Sequence, residues 1–187
     1  MVLSDELRIA LRPREAYARL EGSPQYLLFY VLFMSMLVAA CAGVSATGRV
    51  TLALLASLSA SWMFVPLLHV LLAMALVLSA PARRASGARA TSLLLMGHAP
   101  WSLWLIAAAL MTMSGGYALY HEALLLALVP VALTARLVRA FCLEVLGASA
   151  RGALARTLAH QAATWGVAAI YLERAVGLLP QLLGLLP

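Results

Sequence analysis

The sequence predicts an all-α membrane protein, a five-transmembrane-helix bundle with cytoplasmic amphipathic helices. Three observations carry that expectation. Hydrophobic residues make up 64% of the chain and charged residues only 11%, with a mean hydropathy of +0.96, whereas soluble domains carry roughly 25% charge. The apolar residues gather into runs long enough for a helix to cross a bilayer, which takes ~20 residues. The arginines avoid those runs: the chain has no lysine, and 11 of its 13 basic residues fall in segments that alternate with nearly uncharged ones. With 187 residues there is room for one bundle and no separate catalytic domain.

Residues 1–24 read as a cytoplasmic amphipathic segment and 25–187 as the membrane domain. The acids Asp5, Glu6 and Glu15 stand where a signal peptide needs positive charge, and no small-residue cleavage site follows an early apolar core. Two short surface helices in the headgroup layer are predicted instead. Ser4 is placed to cap the first, and Pro13 to open the second, whose Ala16, Tyr17 and Leu20 share a face.

The five spans are expected at about 26–45, 51–80, 92–113, 117–137 and 158–179. The second run is longer than a bilayer core requires, so it must tilt, bend at Pro66 or extend beyond the membrane. Residues Phe141 to Arg156 carry Leu143, Leu146, Ala150 and Leu154 at helical spacing, which predicts a cytoplasmic surface helix between the last two spans. The uncharged tail Val176 to Pro187 reads as interfacial.

Arginines then orient the bundle, because cytoplasmic connectors carry the excess of positive charge. Arg8, Arg12, Arg14 and Arg19 precede the first span, Arg83, Arg84 and Arg89 follow the second, and Arg136, Arg139, Arg151 and Arg156 lie between the fourth and fifth; Arg49 and Arg174 belong to the other side. The N-terminus is expected in the cytoplasm and the C-terminus outside, in a cell inner membrane. The net charge of +6 does not point to nucleic acid, since the arginines form no stripe with interleaved aromatics. Anionic lipid is the expected counterion. Cys41 and Cys142 are expected near opposite faces, hence as free thiols.

Three segments resemble the Yip domain family of five-span membrane proteins. Arg12-Pro13-Arg14-Glu15-Ala16-Tyr17-Ala18-Arg19-Leu20 is similar to its proline-led segment before the first span. His69 with Gly97-His98-Ala99-Pro100 resembles its middle region, and Gly147-Ala148-Ser149-Ala150-Arg151-Gly152-Ala153-Leu154 its last connector. The resemblance implies a non-enzymatic protein that works through partners.

Ionisable groups within spans are functional candidates by default. Of the four histidines, His69 and His98 alone form a plausible pair of axial haem ligands, the first alternative function. Against it stands a structural use, in which each imidazole bonds a neighbouring carbonyl and ties two helices together. Pro66, Pro100 and Pro130 each deprive a carbonyl four residues earlier of its donor, on Trp62, Met96 and Leu126. Such breaks mark substrate sites in carriers, the second alternative, but no internal repeat or midplane carboxylate accompanies them, and kinks for packing are the expectation. Tyr117, His121 and Glu122 could hold a quinone headgroup or serve as interface anchors, and Glu173 with Arg49 could form a structural clasp. No hydrolase elbow, zinc spacing or phosphate loop is present in the sequence, so neither catalysis nor a cofactor is expected.

Small residues are abundant, in Val38-Ala39-Ala40-Cys41-Ala42-Gly43, Ser57-Leu58-Ser59-Ala60-Ser61 and Ala107-Ala108-Ala109. Spaced by four, as Ser57 and Ser61 are, they let helix backbones approach closely, within this chain or against another subunit. The expected function is thus a membrane scaffold or accessory subunit. Ser57 and Ser61 would contact a partner's helices, and Arg12, Arg14, Arg83, Arg84 and Arg151 would hold anionic lipid or an acidic partner surface.

The topology predicts that a Ser86→Cys reporter, with Cys41 and Cys142 replaced by alanine, resists an impermeant maleimide in intact cells and reacts after permeabilisation. Labelling in intact cells would reverse the assigned orientation.

Overall fold

The structure is a computed structural model that describes residues 2–47, 49, 51–80, 85–115 and 126–176. Among them the chain is helical throughout, with no strand. Two short helices come first, α1 (Val2–Leu11) and α2 (Pro13–Arg19), followed by α3 (Gln25–Thr47), α4 (Leu52–Trp62), α5 (Phe64–Leu78), α6 (Gly87–Leu95), a 3-10 turn (Met96–His98), α7 (Ala99–Gly115), α8 (Leu128–Glu144) and α9 (Ala150–Val176). Three stretches are long and apolar enough to cross a membrane: Gln25–Val44, Leu52–Leu78 and Gly87–Met111. Their outer surface suits hydrocarbon, since Leu28, Leu32, Met36, Leu71 and Leu103 are all exposed.

The prolines act alike. Pro66, Pro100 and Pro130 cannot donate to the carbonyl four residues back, and a break in the α-helix follows near the third residue upstream of each: at Met63 between α4 and α5, within the 3-10 turn Met96–His98, and at Ala127 before α8. Met63 itself keeps right-handed helical torsions (φ −57, ψ −27), so the long second run continues across its break.

Two expectations are corrected at helix ends. The first helix begins at Val2, so Ser4 lies within it and does not cap it. The single surface helix over Phe141 to Arg156 does not form. Instead, α8 continues to Glu144, with Phe141 and Cys142 fully buried, and α9 starts at Ala150. Gly147 lies between them in the left-handed region (φ 63), a conformation that favours glycine and ends helices. The Ala148 amide returns to the Cys142 carbonyl at 3.0 Å. Ser149 caps the new helix, accepting from the Gly152 amide at 3.2 Å.

The core gathers at one end of the molecule. Ile9, Tyr17, Tyr26, Tyr30, Val77, Leu95 and Phe141 are each buried to within 5% of full enclosure, and they come from α1, α2, the start of α3, the end of α5, α6 and the end of α8. The arginine-bearing connectors meet there as well. Arg89 reaches Glu21 at 3.9 Å, Arg14 reaches Glu144 at 2.9 Å, and Arg156 donates to the Ser79 hydroxyl and carbonyl at 3.2 Å each. The two N-terminal helices are therefore packed into the bundle and do not simply lie on its surface; α2 presents Ala16 and Tyr17 inward, as their spacing predicts, and Leu20 just after it packs against the same core. Away from this end the packing thins. Helix α4 has no buried residue and leans on α3, where Gly43 admits Leu54: a Cβ there would stand 3.1 Å from Leu54 Cδ2.

At Gly22 the N-terminal segment lies against the backbone of α6. A methyl group there would collide with the carbonyl oxygen of Arg89 and the hydroxyl of Ser92. Gly22→Ala should therefore cost roughly 1–3 kcal/mol, the usual penalty of overpacking, whereas Gly87→Ala, with nothing within 4 Å, should leave stability unchanged. Thermal unfolding in detergent measures both; equal midpoints would contradict the close approach.

Candidate functional site

Helix α3 begins with Tyr26, Tyr30 and Phe33, at i, i+4 and i+7, and so on one face. His98, held at the end of the 3-10 turn that Pro100 imposes, enters this face. Its ring lies 6.4 Å from Tyr26, 5.5 Å from Tyr30 and 5.6 Å from Phe33, centroid to centroid. The proline break thus serves packing: it carries an imidazole into an aromatic box.

His98 is 5% exposed and Glu6, on α1, is 7% exposed. His98 Nδ1 lies 2.7 Å from Ser102 Oγ, and Ser102 in turn donates to Met34 Sδ at 3.5 Å. With that hydroxyl hydrogen on sulfur, Nδ1–H is the donor to Ser102. His98 Nε2 faces Glu6 Oε1 at 3.4 Å, an ion-pair distance without the alignment of a hydrogen bond. Glu6 Oε1 also accepts from the Tyr26 hydroxyl at 2.5 Å. Burial pushes the Glu6 carboxyl up, but the His98 and Tyr26 contacts outweigh it and hold the group below its ordinary 4.5.

The polar contacts continue inward. The Tyr30 hydroxyl lies 2.5 Å from His69 Nδ1, and with the phenol as donor His69 carries its proton on Nε2. The His69 ring stacks on that of His160, 6.2 Å away. Glu6, Tyr26, His98, Tyr30, His69 and His160 thereby connect α1, α3, the 3-10 turn, α5 and α9. Beside them, the Tyr17 hydroxyl rests on Gly97, where a Cβ would stand 2.9 Å away; burial raises the Tyr17 phenol well above its ordinary range. The Tyr17 ring meets Phe141 edge to face at 5.5 Å.

This geometry does not suit a haem between His69 and His98. Tyr30, 1% exposed, occupies the gap, its ring 5.5 Å from one imidazole and 5.8 Å from the other, and a macrocycle would need that space. The imidazoles do tie helices together, but through tyrosine, serine and glutamate side chains and not through proline-freed carbonyls. No group of three or more metal-ligating side chains exists among the described residues.

The remaining candidates are spread over the surface. Ser57 and Ser61 are exposed on α4, each donating to its own helix, to the Leu54 carbonyl and the Ser57 carbonyl at 3.1 Å. Arg12 pairs with Glu15 at 3.7 Å and Arg14 with Glu144 at 2.9 Å; Arg151 is exposed on α9. Arg12 and Arg14 share a groove with Arg136 and Arg139, whereas Arg151 does not line it. Arg83 and Arg84 lie outside the described residues, as do Tyr117, His121, Glu122 and the side chains of Glu173 and Arg174. Sequence reasoning did not single out Glu6, Tyr26 and Tyr30. The i, i+4 tyrosines opening an apolar run were the available signal.

Replacing Glu6 removes the carboxylate that accepts from Tyr26 and faces His98, and Glu6→Gln should lower stability by ~1–3 kcal/mol and speed hydrogen exchange in α1 before α8. Because the folded carboxyl is held below 4.5, its stabilisation is fully present above about pH 4.5 and is lost as pH falls through the lower folded value. The gap in midpoint between wild type and Glu6→Gln should therefore shrink from pH 7 to about pH 3; a constant gap would show that the carboxylate charge contributes nothing.

Compared with protein-family models, curated proteins and solved structures, the chain finds no match, and its function has to be read from this geometry.

Proposed function

We propose that the protein is a non-catalytic scaffold or accessory subunit of the cell inner membrane, a five-span bundle with its N-terminus in the cytoplasm. On this reading α8 and α9, with the segment preceding α8, supply two crossings beyond the three apolar stretches. The shared end of the arginine-bearing connectors supports the topology, since it collects the positive charge that the cytoplasmic leaflet retains. The likeness of the Arg12 to Leu20, His69 with Gly97 to Pro100, and Gly147 to Leu154 segments to the Yip domain family is compatible with this proposal.

One observation carries the reading. Ala53, Ala56, Ser57, Ala60 and Ser61 are all exposed on α4 and recur at the spacing of one helical face. In lipid, where burying apolar surface gives no net drive, helices associate through close packing of small residues. The serine hydroxyls are turned back to carbonyls of their own helix, so the face is smooth and needs no polar partner. No other part of the described chain covers it, and α4 is held mainly through its opposite side on α3. A second membrane protein's helix is the ligand this face fits, with Arg12, Arg14, Arg83, Arg84 and Arg151 contacting acidic lipid or an acidic surface beside it.

Ser57→Leu with Ser61→Leu should leave the fold intact and reduce recovery of co-purifying membrane subunits in mild detergent by about tenfold, a change of ~1.4 kcal/mol. Unchanged recovery by quantitative mass spectrometry would reject this face as the docking surface.

A further inference from the structure

A groove of about 760 Å³ opens where the α1–α2 elbow crosses α8 and α9. Its polar wall carries Arg12, Arg14, Arg136 and Arg139, and its floor and far wall are apolar, with Leu143, Leu154 and Leu158 among them. The charges are unevenly matched. Glu15 is the one acid lining the groove and is shared between Arg12 at 3.7 Å and Arg19 at 3.2 Å, while Arg14 is paired with Glu144. Arg136 donates to the Leu11 carbonyl at 3.4 Å. Neither Arg136 nor Arg139 has a carboxylate within ion-pair distance among the described residues, so two guanidinium charges face the groove without a counter-ion.

Arg139 and Arg136 stand at i and i+3 on α8, roughly 7 and 12 Å from its C-terminal end at 1.5 Å per residue. Leu133 and Val129 continue the same face further along the helix, and both are exposed, as are Leu154 and Leu158 on α9. The cationic rim thus leads into a strip of exposed aliphatic side chains. An ion in water would need only the rim. A molecule with an anionic head and a hydrocarbon tail uses both parts.

We propose that this groove binds an acidic glycerophospholipid, its phosphate between Arg136 and Arg139 and one acyl chain along Leu133, Val129 and Leu158. The inference rests on the membrane reading above and extends it: the arginines of the elbow and of α8 form one lipid site, beyond a diffuse attraction to the leaflet. Guanidinium groups suit phosphate because their forked donors match its oxygens. A bound headgroup would also bridge α8 to the α1–α2 elbow, which Arg136 now joins only through the Leu11 carbonyl.

Native mass spectrometry of the full chain in neutral detergent tests this, with phosphatidylglycerol and phosphatidylcholine of identical acyl chains as probes. Phosphatidylglycerol should bind about tenfold more tightly, as two arginines near an acidic headgroup allow. Arg136→Gln with Arg139→Gln should abolish that preference. Arg8→Gln with Arg89→Gln, which removes equal charge outside the groove, should retain it. Leu158→Trp, which fills the apolar wall and leaves every charge in place, should reduce phosphatidylglycerol binding severalfold and guards against a groove variant that fails to fold. Equal binding of the two lipids, or a preference that survives loss of Arg136 and Arg139, would overturn the proposal. Displacement of phosphatidylglycerol by millimolar inorganic phosphate would overturn it in favour of a soluble anion site. Because Ser57 and Ser61 lie on α4, partner recovery with the lipid-groove variants reports on the scaffold reading separately.

Discussion

A carboxylate can be enclosed among helices only if polar groups replace the water it loses, and in this protein Glu6 accepts from the Tyr26 hydroxyl and faces the His98 imidazole. Taking an ion from water into low dielectric is costly, and a single good counter-ion seldom offsets the loss. Glu6 has His98 at 3.4 Å and Tyr26 at 2.5 Å, and each of these belongs to a different part of the chain. The pairing therefore brings α1 onto the bundle and fixes where α3 and the 3-10 turn lie relative to it. Around that anchor the apolar core closes, with Ile9, Leu95 and Phe141 excluded from solvent.

The proline breaks belong to the same construction. A regular helix over 87–115 would set His98 on a different bearing; the 3-10 turn before Pro100 alters the advance per residue and delivers the ring among Tyr26, Tyr30 and Phe33. Gly97, beside it, leaves room for the Tyr17 hydroxyl. Helix geometry, a missing amide and a missing side chain thus combine to seat one polar group. Toward α4 the molecule has little such detail, and its surface there is made of small and aliphatic side chains.

How much of this could be read from the sequence divides along physical lines. Apolar run length gave the helices Gln25–Thr47 and Leu52–Leu78 nearly whole, because hydropathy over many residues averages out local exceptions. Helix breaks at three prolines follow from one missing N–H each and were equally legible. The turn at Gly147 was not, since a glycine within a periodic leucine pattern gives no sign of which torsion it adopts, and Ser149 as a cap is visible only once that turn is known. The Glu6 to His98 contact joins residues far apart in the chain. Glu6 belongs to a short segment that reads as a surface helix, and nothing nearby signals that it is buried. In the sequence Arg136 and Arg139 mark topology alone; their common groove with Arg12 and Arg14 depends on how the elbow crosses α8.

The distance along the chain between Glu6 and His98 also sets an order of events. Synthesis runs from the N-terminus, so α1 is made before α3, α4 and α5 and before the segment that carries His98. Only when the segment bearing His98 arrives can their contact form. The contact therefore ties a part of the chain that is made early to one that is made much later, across all of α3, α4 and α5.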